Sequence, residues 1–150
     1  MNLETLPWTG GCRCGRVRMK ISEGPLLTMA CHCTGCQHMS ASAFSLTMAI
    51  PAKGFEIIQG ETVIGGLRAA AEHNFCPHCM SWMFTRPQGL DWFVNVRPTM
   101  LDEQQGFAPF IETYTSEKLP WATTPAVHSF EQFPAMDAYE GLIKAYGAQD

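Results

Sequence analysis

Seven cysteines stand in three short groups: Cys12-Arg13-Cys14, Cys31-His32-Cys33-Thr34-Gly35-Cys36 and Cys76-Pro77-His78-Cys79. Their spacings suit metal binding. On an extended strand, side chains at i and i+2 leave the same face, so Cys12 and Cys14 can form one edge of a tetrahedron. Cys31 and Cys33 can do likewise, and Gly35 permits the tight turn that brings Cys36 to the same point. Pro77 opens a turn that gathers Cys76 and Cys79. Soft thiolates select zinc, which prefers four ligands. The two pairs make a closed, structural set of Cys12, Cys14, Cys76 and Cys79. The triplet Cys31, Cys33 and Cys36 leaves a fourth position open, where chemistry can happen. Two zinc ions per chain are expected, the second the more easily lost, and no thiol is left over.

Other readings of the same residues are weaker. A disulfide framework is disfavoured by an odd cysteine count and by a reducing compartment. Cys76-Pro77-His78-Cys79 alone suits a redox dithiol, but such a motif should open a helix. Here Met80 to Pro87 reads as a strand and turn. Cys12 and Cys14, taken singly, read as small buried hydrophobes. The triplet can close on a histidine, and His38 is the nearest candidate. His32, between two ligands, should point to the other side of its strand. His73, His78 and His128 read as surface or internally satisfied residues.

The surrounding chain limits the functions available. Its 150 residues suffice for one domain, 1–150, with a hydrophobic core. Net charge is −4, from 10 Lys+Arg against 14 Asp+Glu, which is no footprint for a nucleic-acid backbone. The one basic cluster, Arg13, Arg16, Arg18 and Lys20, alternates with apolar residues as the solvated face of a strand does. Apolar runs are too short and broken to span a membrane. The first residues lack the features of a secretory signal, so a cytoplasmic location is expected. Nothing speaks to oligomeric state.

Short strands dominate the pattern. Val17, Met19 and Ile21 alternate with Arg18 and Lys20, and Phe44, Leu46, Met48 and Ile50 alternate up to Pro51. Further candidates are 26–31, 55–58, 62–64, 81–85, 92–96 and 111–115, separated by Gly and Pro turns. Helical signals are confined to one turn at 35–40 and to Met136, Tyr139, Leu142, Ile143 and Tyr146, with Gly147 as the stop. The fold class expected is mainly β with few short helices.

The cysteine groups, in this order, resemble the glutathione-dependent formaldehyde-activating enzyme family. The resemblance runs over about residues 8–121, leaving 122–150 as a C-terminal extension. It includes Gly10-Gly11-Cys12-Arg13-Cys14-Gly15-Arg16-Val17, the Cys31–Cys36 knuckle with Ser42-Ala43-Phe44, Phe75-Cys76-Pro77-His78-Cys79, Leu101-Asp102, and Pro109 to Pro120-Trp121. The resemblance implies a zinc β-tent of two small antiparallel sheets. It matches Cys12, Cys14, Cys76 and Cys79 to structural zinc ligands, and Cys31, Cys33 and Cys36 to a catalytic zinc. The implied partners are a small thiol such as glutathione and an aldehyde. The implied reaction joins glutathione to formaldehyde as S-hydroxymethylglutathione, carbon–sulfur lyase chemistry in reverse.

An open three-thiolate zinc suits that chemistry. Coordination deprotonates an incoming thiol, which then adds to an aldehyde held beside it. Three thiolates also temper the metal as a Lewis acid, which favours thiol binding over carbonyl polarisation. The alternative from another class is a non-catalytic zinc module for protein contacts. The chain departs from the family pattern at Gln37, where Arg is usual, at Ala41 and Met80, where Gly is usual, and at Glu112, in a late Pro-x-x-His segment. Gln37, Ala41 and Glu112 are expected to reshape the pocket beside the open zinc. Gln37, Ser42, Phe44 and Trp82 are the candidates to surround it, and Glu112 is the candidate for proton transfer.

Overall fold

The computed structural model describes residues 1–67 and 70–149. They divide into two compact units, Met1–Pro25 with Met48–Phe107, and Leu26–Thr47 with Ala108–Asp150. The strands form two sheets, and the described residues hold only two α-helices. The mainly-β expectation therefore holds.

In the first unit, β1 (Trp8–Gly11) and β2 (Arg18–Ile21) pair as an antiparallel hairpin, Trp8 opposite Ile21 and Gly11 opposite Arg18. After β3 (Leu27–Cys31) and α1 (Thr34–Ser40) of the other unit and β4 (Ser45–Pro51), β5 (Phe55–Gln59) lies antiparallel to β2. Next come β6 (Val63–Gly65), β7 (Ala71–Phe75), β8 (Trp82–Pro87) and β9 (Phe93–Val96). They pair antiparallel in the order β9-β8-β7-β6, with Met48–Pro51 of β4 on the outer side of β9. The period-two alternation of β2 has its physical cause here. Met19 and Ile21 are fully buried with Trp8, Met48, Ile50, Met83, Val94 and Val96, while Arg18 and Lys20 stay half-exposed. Each such aliphatic side chain contributes about 1.5–3 kcal/mol. Arg18 forks onto Asp102, whose carboxylate also accepts from Thr9. Both partners are solvated, so this pair is worth at most about 1 kcal/mol.

In the second unit, β3 (Leu27–Cys31) leads into α1 (Thr34–Ser40). Later, β10 (Ile111–Thr113) runs parallel to β3 and to β11 (His128–Ser129). The pairs are parallel rather than antiparallel because the connections are long. Residues 32–110 separate β3 from β10, so no hairpin dictates direction. The final helix α2 (Tyr139–Gly147) packs on β3 and buries Leu142. Tyr146 lies edge-on to Phe110, whose N–H bonds to Thr28 near the start of β3. Tyr139 sits at the other end of α2.

Strands β1, β7 and β11 escape the sequence pattern. The first two are cut by glycine or polar residues, and the third is two residues long. No helix of the described residues is long and apolar enough to cross a membrane.

Candidate metal centres

The first unit gathers Cys12, Cys14, Cys76 and Cys79, their sulfurs all within 4.8 Å of one another. Two hairpin loops supply them. Cys12 and Cys14 lie in the β1–β2 loop, not on a strand as the i, i+2 spacing suggested. That loop is closed by Cys12 N–H to Val17 O and Gly15 N–H to Cys12 O, both 3.0 Å, with Gly15 at φ +78°. Only glycine takes that conformation at little cost, and it turns Cys14 back over Cys12. The second loop, between β7 and β8, bonds Cys76 N–H to Ser81 O and Met80 N–H to Cys76 O. Ser81 ties the loops together: its hydroxyl accepts from Arg13 N–H at 3.1 Å and lies 3.2 Å from Cys79 Sγ. That hydroxyl chiefly holds the Cys79 thiol down to about 5. Strand β8 follows the Cys-x-x-Cys directly, so no helix opens there as a redox dithiol needs.

The sulfur spacing fits a metal. Cys12 Sγ stands 3.5 Å from Cys14 Sγ, which stands 3.7 Å from Cys76 Sγ. A tetrahedron with bonds of about 2.3 Å has edges of about 3.8 Å. The Cys12 sulfur also accepts Val17 N–H at 3.3 Å, an N–H···S contact that favours the thiolate. The set can hold a metal ion.

The second unit gathers Cys31, Cys33 and Cys36, again with sulfurs within 4.8 Å. Cys31 ends β3, Cys33 is the N-cap of α1, and Cys36 lies in its first turn. The helix start builds the cluster. Cys33 Sγ accepts Cys36 N–H at 3.3 Å, satisfying an orphan amide of the first turn. The Cys36 S–H against Cys31 pulls the Cys31 thiol down to about 5, with the Thr113 hydroxyl helping and burial opposing. The same contact and burial push Cys36 far up, although the Ser45 hydroxyl opposes them. The packed thiols oppose one another's ionisation, and a cation held between them would relieve that opposition. Among the described residues, no His, Asp or Glu ligand atom joins the three. His38, the candidate fourth ligand, is exposed on α1 and outside the cluster.

Behind the triplet lies a polar hub that the sequence reading placed differently. His32 is fully buried and its Nε2 meets Glu112 Oε2 at 2.8 Å, with Phe44 edge-on at 5.3 Å. Glu112 also accepts from Ser129 (2.7 Å) and Thr124 (2.9 Å), with Lys118 Nζ at 3.4 Å. Burial raises its pKa, but Ser129, His32, Thr124 and Lys118 together outweigh it and hold the group at about 2. These contacts commit the carboxylate to the hub around His32. Gln37 is likewise committed, its amide donating to His32 O at 2.7 Å and Glu117 O at 3.0 Å. Trp82 belongs to the first unit, stacked under Arg97 at 3.8 Å. His73 is satisfied by Thr85, His128 lies against Phe110, and His78 is exposed. Thr113, Ser45, Thr124 and Ser129 left no sequence signal. Glu112 did, as a lone carboxylate inside a buried strand.

The family model for the glutathione-dependent formaldehyde-activating enzyme matches residues 7–117. The chain belongs to that family. Nothing matches among curated proteins. A solved structure of a Rhodobacter sphaeroides protein is similar, with a TM-score of 0.53 at 18% identity, covering 67% of this chain and 91% of that one. At that identity the likeness speaks for the fold.

Two departures from the glutathione-dependent formaldehyde-activating pattern have a backbone explanation. Ala41 (φ 49°) ends α1 in the left-handed region, its N–H on Gln37 O, and Met80 (φ 58°) closes the Cys76–Cys79 loop. Both are positions that glycine fills without strain. A side chain there costs about 1–2 kcal/mol, offset by the greater unfolded-state freedom of glycine, about 0.5–1 kcal/mol. Ala41→Gly and Met80→Gly should therefore each stabilise the chain by about 0.5–1 kcal/mol in denaturant melts. A loss of stability would contradict the strain account.

Proposed function

We propose that this chain joins a glutathione-type thiol to formaldehyde, giving the S-hydroxymethyl adduct, or cleaves it in the reverse, carbon–sulfur lyase direction. In this reading Cys31, Cys33 and Cys36 hold a catalytic zinc, and Cys12, Cys14, Cys76 and Cys79 hold a structural one. The observation that carries it is the triplet itself: three convergent sulfurs with no fourth protein ligand among the described residues. A zinc ion held by these three sulfurs would supply an open position at which an incoming thiol would be bound as thiolate.

The chain's own residues fix that position. Cys36 N–H aims the Cys33 sulfur, while the Thr113 and Ser45 hydroxyls do so for Cys31 and Cys36. Gln37 holds the first turn of α1 to the backbone at His32 and Glu117. The reaction balances without redox chemistry: S–H adds across C=O, a carbon–sulfur bond forms, and the carbonyl oxygen takes the proton. Seven reduced thiols suit a cytoplasmic setting.

Exchange NMR on glutathione and formaldehyde tests the reading. The rate of adduct formation should rise in proportion to added protein. No acceleration with formaldehyde or another small aldehyde, by protein holding both metals, would favour the non-catalytic zinc module instead.

A further inference from the structure

We propose that Glu112 is a positioning residue for the three-cysteine site, clamped by the segment that follows the family match. The proposal rests on the reading that the triplet holds a metal. The match ends at residue 117. Immediately beyond it, Lys118, Thr124 and Ser129 all turn onto the Glu112 carboxylate, at 3.4, 2.9 and 2.7 Å. The remaining donor is His32, which stands between two of the cysteines.

Among the described residues, His32 has one polar hold on its ring. Its Nε2 is 2.8 Å from Glu112 Oε2, and its Nδ1 is buried without a hydrogen-bond partner among the described residues. The direction of the ring is therefore set by that single contact and by Phe44. Its backbone is held on both sides, His32 N–H donating to Thr113 O at 3.0 Å and His32 O accepting from Gln37 at 2.7 Å. The peptide that carries Cys31 and Cys33 is thus fixed at its midpoint, with the side chain anchored to Glu112.

A buried carboxylate is costly unless its oxygens are satisfied. Three of its four partners come from outside the matched segment, so the C-terminal stretch is part of the second site. Groups that orient metal ligands without touching the metal are commonly worth 10–100-fold in metal affinity.

The test uses the full chain loaded with cobalt(II) and challenged with a chelator, following thiolate–cobalt absorption. Wild type should release the metal of the triplet and that of the four-cysteine set in two resolved phases. Glu112→Gln should weaken retention at the triplet by 10–100-fold and leave the other phase unchanged. Thr124→Ala with Ser129→Ala, which keeps the carboxylate, should shift the same phase less. In a His32→Gln background, Glu112→Gln should add nothing further, because it acts through His32. Wild-type release from the triplet in both sets of variants overturns the proposal, as does a loss of both phases in step with global unfolding. A wild type that takes up a single cobalt overturns the metal reading itself, and this proposal with it.

Discussion

Cys76→Ser is expected to unfold the first unit. Cys76 is fully buried, and its sulfur lies 3.7 Å from Cys14 Sγ, where the β1–β2 and β7–β8 loops meet. In the proposed reading a zinc ion joins those loops. A structural zinc contributes about 10–16 kcal/mol to folding, against a typical net stability of about 5–15 kcal/mol. Few single contacts in a domain match that. A serine hydroxyl does not ionise to complete the set, and it leaves a buried polar group behind. Circular dichroism and metal analysis check the outcome: lost strand signal and one metal fewer. A Cys76→Ser chain that stays folded with the metal content of wild type would contradict a structural role for this set.

Cys36→Ser has an equally large effect of a different kind. The second metal should be lost, and thiol-dependent adduct formation with it, by on the order of 100-fold or more. The fold should persist. Helix α1 keeps its Cys33 cap, the Gln37 tether and the bonds from Thr34 to Glu117, so the cost to stability is about 1–2 kcal/mol. Melting curves and metal content measured on the same preparation separate the two readouts. Retained activity with one metal would remove Cys36 from the proposed catalytic centre; loss of the fold would make it structural.

The three cysteine groups were legible in the sequence because local spacing governs each, whereas joining Cys12 and Cys14 to Cys76 and Cys79, sixty-two residues on from Cys14, rested on the ligand count and the family resemblance. Two residues between cysteines in a turn, or one, bring sulfurs together whatever the rest of the chain does. The local geometry was less legible: Cys12 and Cys14 meet through a glycine turn, although alternation along a strand would also bring them together. The surroundings of the triplet depended on long-range contacts. Glu112 finds His32 eighty residues earlier and Ser129 seventeen later, which no periodicity encodes. Its place in the hub around His32 follows from four partners, three of them invisible as motifs. Ala41 and Met80 show the opposite case. Ala41 read as a change of pocket shape and Met80 only as a departure, while the positive φ at each marks a position that suits glycine for local backbone reasons.

The most direct test of the account is metal stoichiometry before and after glutathione. Purified wild-type chain should hold two zinc ions. In cobalt(II)-loaded protein, glutathione should shift the absorption of one ion and leave the other unmoved, and Cys36→Ser should abolish only the responsive one. Two ions that both ignore glutathione, each with a complete ligand set, would contradict an open thiol-binding centre at Cys31, Cys33 and Cys36.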